Sequence, residues 1–269
     1  MKLNTLVLSD IHLPINEDMN SFSTNMLMLF DFLNHLISKE MKFDKIILNG
    51  DIIEDWYTRA SKAFEQYPEI MILFFYKLKM LTQRIIFVKG NHDSSNVFGI
   101  LPKKTREFLE DMKVEIYHNS FVDGNLYFAH GHRGENISPI FIFLNILAAQ
   151  LAFTSLRWIA NLFGTKGKTI FSKIKPYYNK MTNSTGAGET RELQEIYYTK
   201  VRAKMNVPDN MVLVCGHTHL PLILESPKVI NDGDWMTNCT FVEIDHNSNI
   251  AFLCKYTGDG ITIMNQMEL

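Results

Sequence analysis

Cysteine is scarce in this sequence: Cys215, Cys239 and Cys254 are the only three in 269 residues. The number is odd and no CxxC pair occurs, which argues against a disulfide framework and against a zinc ribbon. Each sits in an apolar run and is expected to pack as a small hydrophobe. A charge excess is missing too. Lysine and arginine number 27 against 29 acids, for a formal net charge of −2, and no acidic or basic tail is present. A global electrostatic pull toward a nucleic-acid polymer is therefore not indicated. The opening MKLNTLVLSD has an apolar run too short for a secretory signal and meets charge at once. The expected location is cytoplasmic.

What is present is an ordinary globular composition, 46% hydrophobic and 21% charged, long enough for one large domain. Apolar runs recur along it, and five of them stop in the same manner. LNTLVLSD (3–10), DKIILNGD (44–51), RIIFVKGNHD (84–93), NLYFAHGH (125–132) and MVLVCGHTH (211–219) each read as a strand ending in Asp, Asn or His. Between them, 22–40 spaces Met26, Leu29, Phe30, Leu33, Leu36 and Ile37 as an amphipathic helix, and 71–81 reads as a mostly buried helix. FVEID (241–245) and IAFLCKY (250–256) look like successive antiparallel strands. One sheet would not easily hold all of these, so two packed sheets with flanking helices are expected.

In an α/β sheet, ligands bind beyond the carboxyl ends of the strands. The five strand ends could bring Asp10, His12, Asp51, Asn91, His130, His217 and His219 to one place. Taken alone, His217 and His219 read more readily as solvated loop residues than as a pair that shares a task such as holding metal.

Residues 134–210 break the pattern. SPIFIFLNILAAQLAFTSLRWIANLF (138–163) is apolar enough to raise the question of a membrane span, but Asn145, Gln150, Arg157 and Asn161 argue against one. Gln150, Thr154, Arg157 and Asn161 fall within an arc of roughly 60° at ~100° per residue. Lys166, Lys168, Lys173, Lys175 and Lys180 follow, then NSTGAGET (183–190), a flexible connection. Two readings stand side by side: a helical insertion packed on the body, or a lid whose basic-edged apolar face meets lipid or an acylated substrate.

The polar strand ends resemble the calcineurin-like metallophosphoesterases, whose blocks are D-x-H, G-D, G-N-H-D/E, a lone H and G-H-x-H. Here they stand as Asp10-Ile11-His12, Gly50-Asp51, Gly90-Asn91-His92-Asp93, His130 and Gly216-His217-Thr218-His219, complete and in order. The resemblance covers about 1–132 and 211–245. It implies a four-layer αββα sandwich of two mixed β-sheets flanked by helices, in a single domain over 1–269 with the 134–210 insertion within it. It also implies two divalent ions, Mn²⁺ foremost and Fe²⁺ or Zn²⁺ as alternatives, which suit these oxygen and imidazole donors. Carried over, Asp10, His12 and His219 serve one ion, Asn91, His130 and His217 the other, and Asp51 bridges. His92 is implied as the residue that contacts the phosphoryl group and protonates the leaving oxygen, with Asp93 orienting it. His132 and Arg133, beside His130, could reach substrate phosphate.

Gly233-Asp234-Trp235 and Cys239-Thr240 after the last histidines resemble the branch containing the UDP-2,3-diacylglucosamine diphosphatases. That branch also carries a helical insertion before G-H-x-H. Two departures stand against it: arginine occupies the position of His92 there, and an acidic residue is common where His132 and Arg133 stand. The implied substrate is a phosphate ester or diphosphate on a lipid-linked nucleotide, with peripheral contact to the inner membrane face through 138–180. The alternatives are a soluble nucleotide or small phosphate ester, and a non-catalytic scaffold. For Gly233-Asp234-Trp235 itself, a turn with Trp235 packed in the core is at least as good a reading as substrate contact.

Overall fold

Strand β1 (Thr5–Leu8) is buried along its whole length, and its neighbours β2 (Lys45–Leu48) and β3 (Ile85–Val88) are as well. Their side chains alternate between two different cores, because successive residues of a strand face opposite sides of its sheet. Leu6, Leu8, Ile46, Leu48, Ile85 and Phe87 join the helices, while Val7, Ile47, Ile86 and Val88 face a second sheet. Each such side chain, fully buried, contributes about 1.5–3 kcal/mol. The unbroken apolar runs are thus a consequence of burial on both faces.

The structure is a computed structural model that describes residues 3–13, 24–54, 68–94, 100–134 and 190–269. The apolar stretch 138–163, the lysine-rich 164–180, nearly all of the 183–190 connection, and Trp56 lie outside the described residues. Only residue 134 and residues 190–210 of the expected insertion fall within them.

The first sheet has the order β12-β11-β10-β1-β2-β3-β4, with β4 at Glu115–Tyr117, β10 at Thr240–Asp245, β11 at Ile250–Tyr256 and β12 at Ile261–Glu268. β1 to β4 run parallel, while β10 pairs antiparallel with β1 and starts an antiparallel meander to β12. The second sheet has the order β5-β6-β7-β9-β8: β5 (Phe121–Asp123), β6 (Leu126–Phe128), β7 (Val212–Cys215), β8 (Leu222–Leu224) and β9 (Val229–Asn231). β6, β7 and β9 are parallel and both edges antiparallel, so both sheets are mixed.

Helices α1 (Thr24–Ser38), α2 (Pro68–Leu81) and α3 (Lys103–Asp111) cover the outer face of the first sheet. α2 is less buried than its composition suggests. Met71, Phe74, Phe75, Leu78 and Leu81 face the core, but Ile72, Leu73, Tyr76 and Met80 are exposed, as an outer-layer helix has only one inward side. α4 (Arg191–Met205) covers the second sheet, packing Tyr198 and Val201 on Ala129, Leu213, Cys215 and Val229. Thr190 caps its N-terminus by accepting from the Leu193 N–H, and Asn206 ends it in the left-handed conformation. Helix, sheet, sheet and helix make the four layers. Cys215, Cys239 and Cys254 are all free and buried. Trp235 is buried against Phe32 and Phe241, so it packs in the core.

Candidate metal centre

Every candidate ligand stands on a loop just past a strand. Asp10 and His12 follow β1, Asp51 follows β2, Asn91 to Asp93 follow β3, His130 follows β6, and His217 and His219 follow β7. The loops are forced close. Gly50 has φ +95°, and a Cβ there would lie 2.5 Å from the His130 ring. At Gly216 a Cβ would collide with the Asp10 carboxylate and the Ser9 hydroxyl. Asp10, His12, Asp51, His217 and His219 themselves have φ between 50° and 71°, a left-handed conformation that β-carbon sterics disfavour. Such strain persists only where the surroundings over-determine it. The N–H groups of Asp10, Ile11 and His12 donate to the carbonyls of Gly50 and Asp51, and the His217 N–H donates to Asp10 Oδ2 at 3.0 Å.

The side chains converge in two groups. Donor atoms of Asp10, His12 and His219 lie within 4.8 Å of one another, and so do those of Asp51, His130 and His217. His219 Nε2 stands 3.0 Å from Asp10 Oδ1, and His130 Nε2 stands 2.9 Å from Asp51 Oδ2, both outside hydrogen-bonding geometry. His12 Nε2 is buried with no hydrogen-bond partner. Carboxylate and imidazole donor atoms gathered this closely in two groups fit a pair of divalent cations. The second group draws Asp51 from the first sheet and two histidines from the second.

The far side of each ring is fixed. His130 Nδ1 donates to the Asn49 carbonyl at 3.2 Å, which leaves Nε2 for the site, and Asn49 Nδ2 donates to the Val214 carbonyl at 3.0 Å. Glu54 accepts from His12 Nδ1 at 2.9 Å and from His92 Nδ1 at 3.0 Å. These three residues also form a group of potential metal donors, but both imidazoles reach Glu54 at hydrogen-bond distance, so the carboxylate anchors rings.

This corrects one expectation. Asp93 does not hold His92; its carboxylate accepts from the backbone N–H groups of Asp51, Gly90 and Ile53 at 3.0, 2.6 and 2.8 Å. Asp93 thus shapes the Asp51 loop, and orienting His92 falls to Glu54. Only the acids after Asp51 in NGDIIED signalled Glu54 in the sequence. Ser9 and Asp232 were missed entirely. The Ser9 hydroxyl contacts Asp10 Oδ2 and, at 2.7 Å, Asp232 Oδ1. Burial, followed by the Asp10 charge, pushes the Asp232 carboxyl well above its ordinary range. His132 and Arg133 form a turn next to the second group, with the His132 ring 5.5 Å from His130 and 6.2 Å from His217; Arg133 is exposed.

The donors titrate one another. Burial disfavours ionised Asp10, but His130 and His219 overcome it and hold the carboxyl at about 2. Burial also opposes Asp51, which His130 and His92 keep well below the usual carboxylate range. Against burial, Asp51 and Asp10 push His130 up to about 10, and Asp10 raises His219. Glu54 raises His12 and His92 against their burial and is itself held at about 2 by His92 and His12. His132 goes the other way: burial and then the His130 and His217 charges hold it far below the usual range, and neutral.

A sequence model of the calcineurin-like phosphoesterases matches residues 3–221. Over 238 residues the chain is 24% identical to the UDP-2,3-diacylglucosamine hydrolase of Sodalis glossinidius, covering 84% of this chain and 86% of that protein. Among solved structures, a dimetal phosphatase from Danio rerio aligns over 98% of both chains at 10% identity with a TM-score of 0.48. The nuclease MPE of Pseudomonas putida aligns over 47% of this chain and 53% of its own, about half its length, at 17% identity with a TM-score of 0.33.

Protein stripped of metal should draw most stability from these groups between about pH 4.5 and 6.5. His130, raised above its ordinary 6.5, contributes fully below that value and loses the contribution as pH rises through about 10. Asp10 and Glu54, lowered from 3.8 and 4.5, contribute above those values and lose it as pH falls through about 2. Asp93, pushed up from 3.8 to about 6 by burial and then by Asp51, has the opposite sign across that interval and trims the plateau. Thermal melts of EDTA-treated protein should trace this dome, and added Mn²⁺ should flatten its alkaline arm by replacing protons. A melting temperature that climbs above pH 6.5 in the stripped protein would contradict the charge balance.

Proposed function

The chain belongs to the calcineurin-like phosphoesterase family, and on that premise we propose that it hydrolyses the diphosphate of a lipid-linked nucleotide with two divalent ions, preferably Mn²⁺. Members of the family use a dinuclear divalent centre, and the chain is a metal-dependent phosphoester hydrolase. The observation that carries the proposal is the pair of adjoining donor groups, Asp10–His12–His219 and Asp51–His130–His217. Asn91 would add an amide oxygen to the second, and Asp51 would be the carboxylate that serves both. When bound, the ions polarise phosphoryl oxygens and make a water acidic enough to act as nucleophile near neutral pH.

The chain's own residues do the rest. Glu54 keeps a proton on His92 Nδ1, and its charge favours the imidazolium, so His92 Nε2 has a proton to give to the leaving oxygen. Glu54 holds His12 by the same carboxylate, so proton donor and metal ligand keep a fixed separation, with ring centroids 4.8 Å apart. Arg133, exposed beside the second group, supplies two parallel N–H donors for a phosphate, and neutral His132 a further polar contact. The lipid-linked substrate is drawn from the Sodalis relative's name and from the apolar 138–163. A soluble nucleotide or small phosphate ester is the second reading, favoured by His92, His132 and Arg133, where that branch differs.

Hydrolysis of UDP-diacylglucosamine, cyclic nucleotides and phosphomonoesters should be compared with Mn²⁺ restored to stripped protein. The lipid-linked diphosphate should turn over fastest, and no turnover of it would move the assignment to soluble substrates. Asp51→Ala should lose at least roughly 10²–10³-fold in kcat; a variant that keeps its biological role without turnover would point to a scaffold.

Glu54→Gln should weaken activity about 10- to 100-fold. The variant's alkaline limb of kcat should also move to lower pH, because the carboxylate that raises His92 is gone. An unmoved limb would mean that Glu54 does not set that proton.

Peripheral membrane contact through 138–180 belongs to the same proposal; no helix among the described residues is long and apolar enough to cross a membrane. Cosedimentation with anionic liposomes should fall when Lys166, Lys168 and Lys173 are changed to glutamate. Unchanged binding would remove the membrane from the proposal.

A further inference from the structure

Three buried polar side chains tie α4 to the loop that carries His217 and His219, and the chemistry above leaves them unused. Tyr198 of α4 is 1% exposed, Thr218 6% and Asn231 0%. Asn231 Nδ2 points at the Gly216 carbonyl (2.6 Å), the Tyr198 hydroxyl (2.8 Å) and Thr218 Oγ1 (3.1 Å), and Asn231 Oδ1 accepts from the Gly233 N–H at 2.8 Å. The Tyr198 hydroxyl stands 2.8 Å from Thr218 Oγ1. Either hydroxyl can be the donor in that bond. A buried hydrogen-bonded trio of this kind rigidifies its surroundings, since leaving a member unpaired in an apolar layer is costly.

Thr218 is the residue between the two histidines. His217 and His219 have φ of 71° and 58°, so the backbone on either side of Thr218 is strained and needs an external restraint. Within the loop itself the Thr218 N–H bonds only two residues back, to the Gly216 carbonyl at 2.9 Å. With Thr218 turned outward onto α4, its neighbours turn inward to separate donor groups. α4 also abuts the turn after His130: a Cβ on Gly134 would meet Val201 Cγ1 at 2.6 Å. One outer helix therefore lies against both loops of the second sheet that carry candidate ligands.

We propose that Tyr198 is a positioning residue: through Thr218 and Asn231 its hydroxyl holds the 216–219 loop so that His217 and His219 reach two different ions. The inference rests on the metallophosphoesterase reading. Its test is calorimetric titration of Mn²⁺ into EDTA-treated protein, alongside circular dichroism and thermal melts. Tyr198→Phe keeps the ring and removes the bond, and should weaken Mn²⁺ affinity roughly tenfold, equivalent to about 1.4 kcal/mol. Thr218→Val should weaken it likewise, the double variant should be little worse than either, and Thr218→Ser should restore the wild-type value. A Tyr198→Phe protein that melts earlier yet binds Mn²⁺ as wild type would overturn the proposal, leaving Tyr198 a packing residue. So would additive losses in the double variant. Should Tyr198→Phe fail to fold, Thr218→Val against Thr218→Ser decides, and equal affinities sink the idea. Wild-type protein that takes up no Mn²⁺ would overturn the function itself, a different result from wild-type uptake with an indifferent Tyr198→Phe.

Discussion

Carboxylates and imidazoles crowded into a buried space must share positive charge, and most of this molecule is arranged around that requirement. Asp10 and Asp51 are within 1% of complete burial. Burial opposes ionisation at both, yet both are held well down. The cation holding them there is the neighbouring histidine, which is raised in turn. Asp232 shows the limit of that sharing. It lies one hydroxyl away from Asp10, and burial and the Asp10 charge outweigh the His130 charge there, so its carboxyl is pushed up rather than down.

Bringing the donors together strains the backbone. Five left-handed residues, at an order of 1–3 kcal/mol each, would be a serious burden on a domain whose net stability is about 5–15 kcal/mol. The loops hold because their hydrogen bonds run from one to another. Asp93 gathers three backbone N–H groups, Asp51 Oδ1 takes the His92 N–H, Asp10 Oδ2 takes the His217 N–H, and the Trp235 N–H meets the Asp10 carbonyl. The candidate ligands Asp10 and Asp51 are therefore also structural acceptors, and replacing either removes a loop clamp.

The parts legible in the sequence are those in which local order and spatial order coincide. Strand runs flanked by ligand residues are visible because each ligand lies within a few residues of its strand end. His217 and His219 fall in separate groups of potential donors because residues one apart, on either side of Thr218, turn opposite ways. Glu54 was not legible as an anchor, since its partners are 42 and 38 residues away and only the fold brings both Nδ1 atoms to one carboxylate. Asp93 was misassigned for the converse reason. Adjacency to His92 suggested contact, but the turn after β3 directs the carboxylate at backbone N–H groups. β12 was missed because an edge strand with Ile263 and Met264 exposed and Asn265 and Gln266 among them carries no clean alternation.

The centre also accounts for having two sheets. Asp51 stands at the end of a first-sheet strand, and His130 and His217 at the ends of second-sheet strands, so this group of potential donors draws on both sheets. Asn49 links them too: its side chain donates to Val214 in the second sheet, while its carbonyl accepts from His130. The apolar contact of Val7, Ile47, Ile86 and Val88 with Phe128, Val214 and Ile230 sets the distance between the layers. Since the donor set spans that contact, binding free energy at the centre is coupled to the packing of the sheets. Geometry at the candidate centre is then sensitive to whatever fixes the outer face of the second sheet, and among the described residues α4 is the helix in contact with that face.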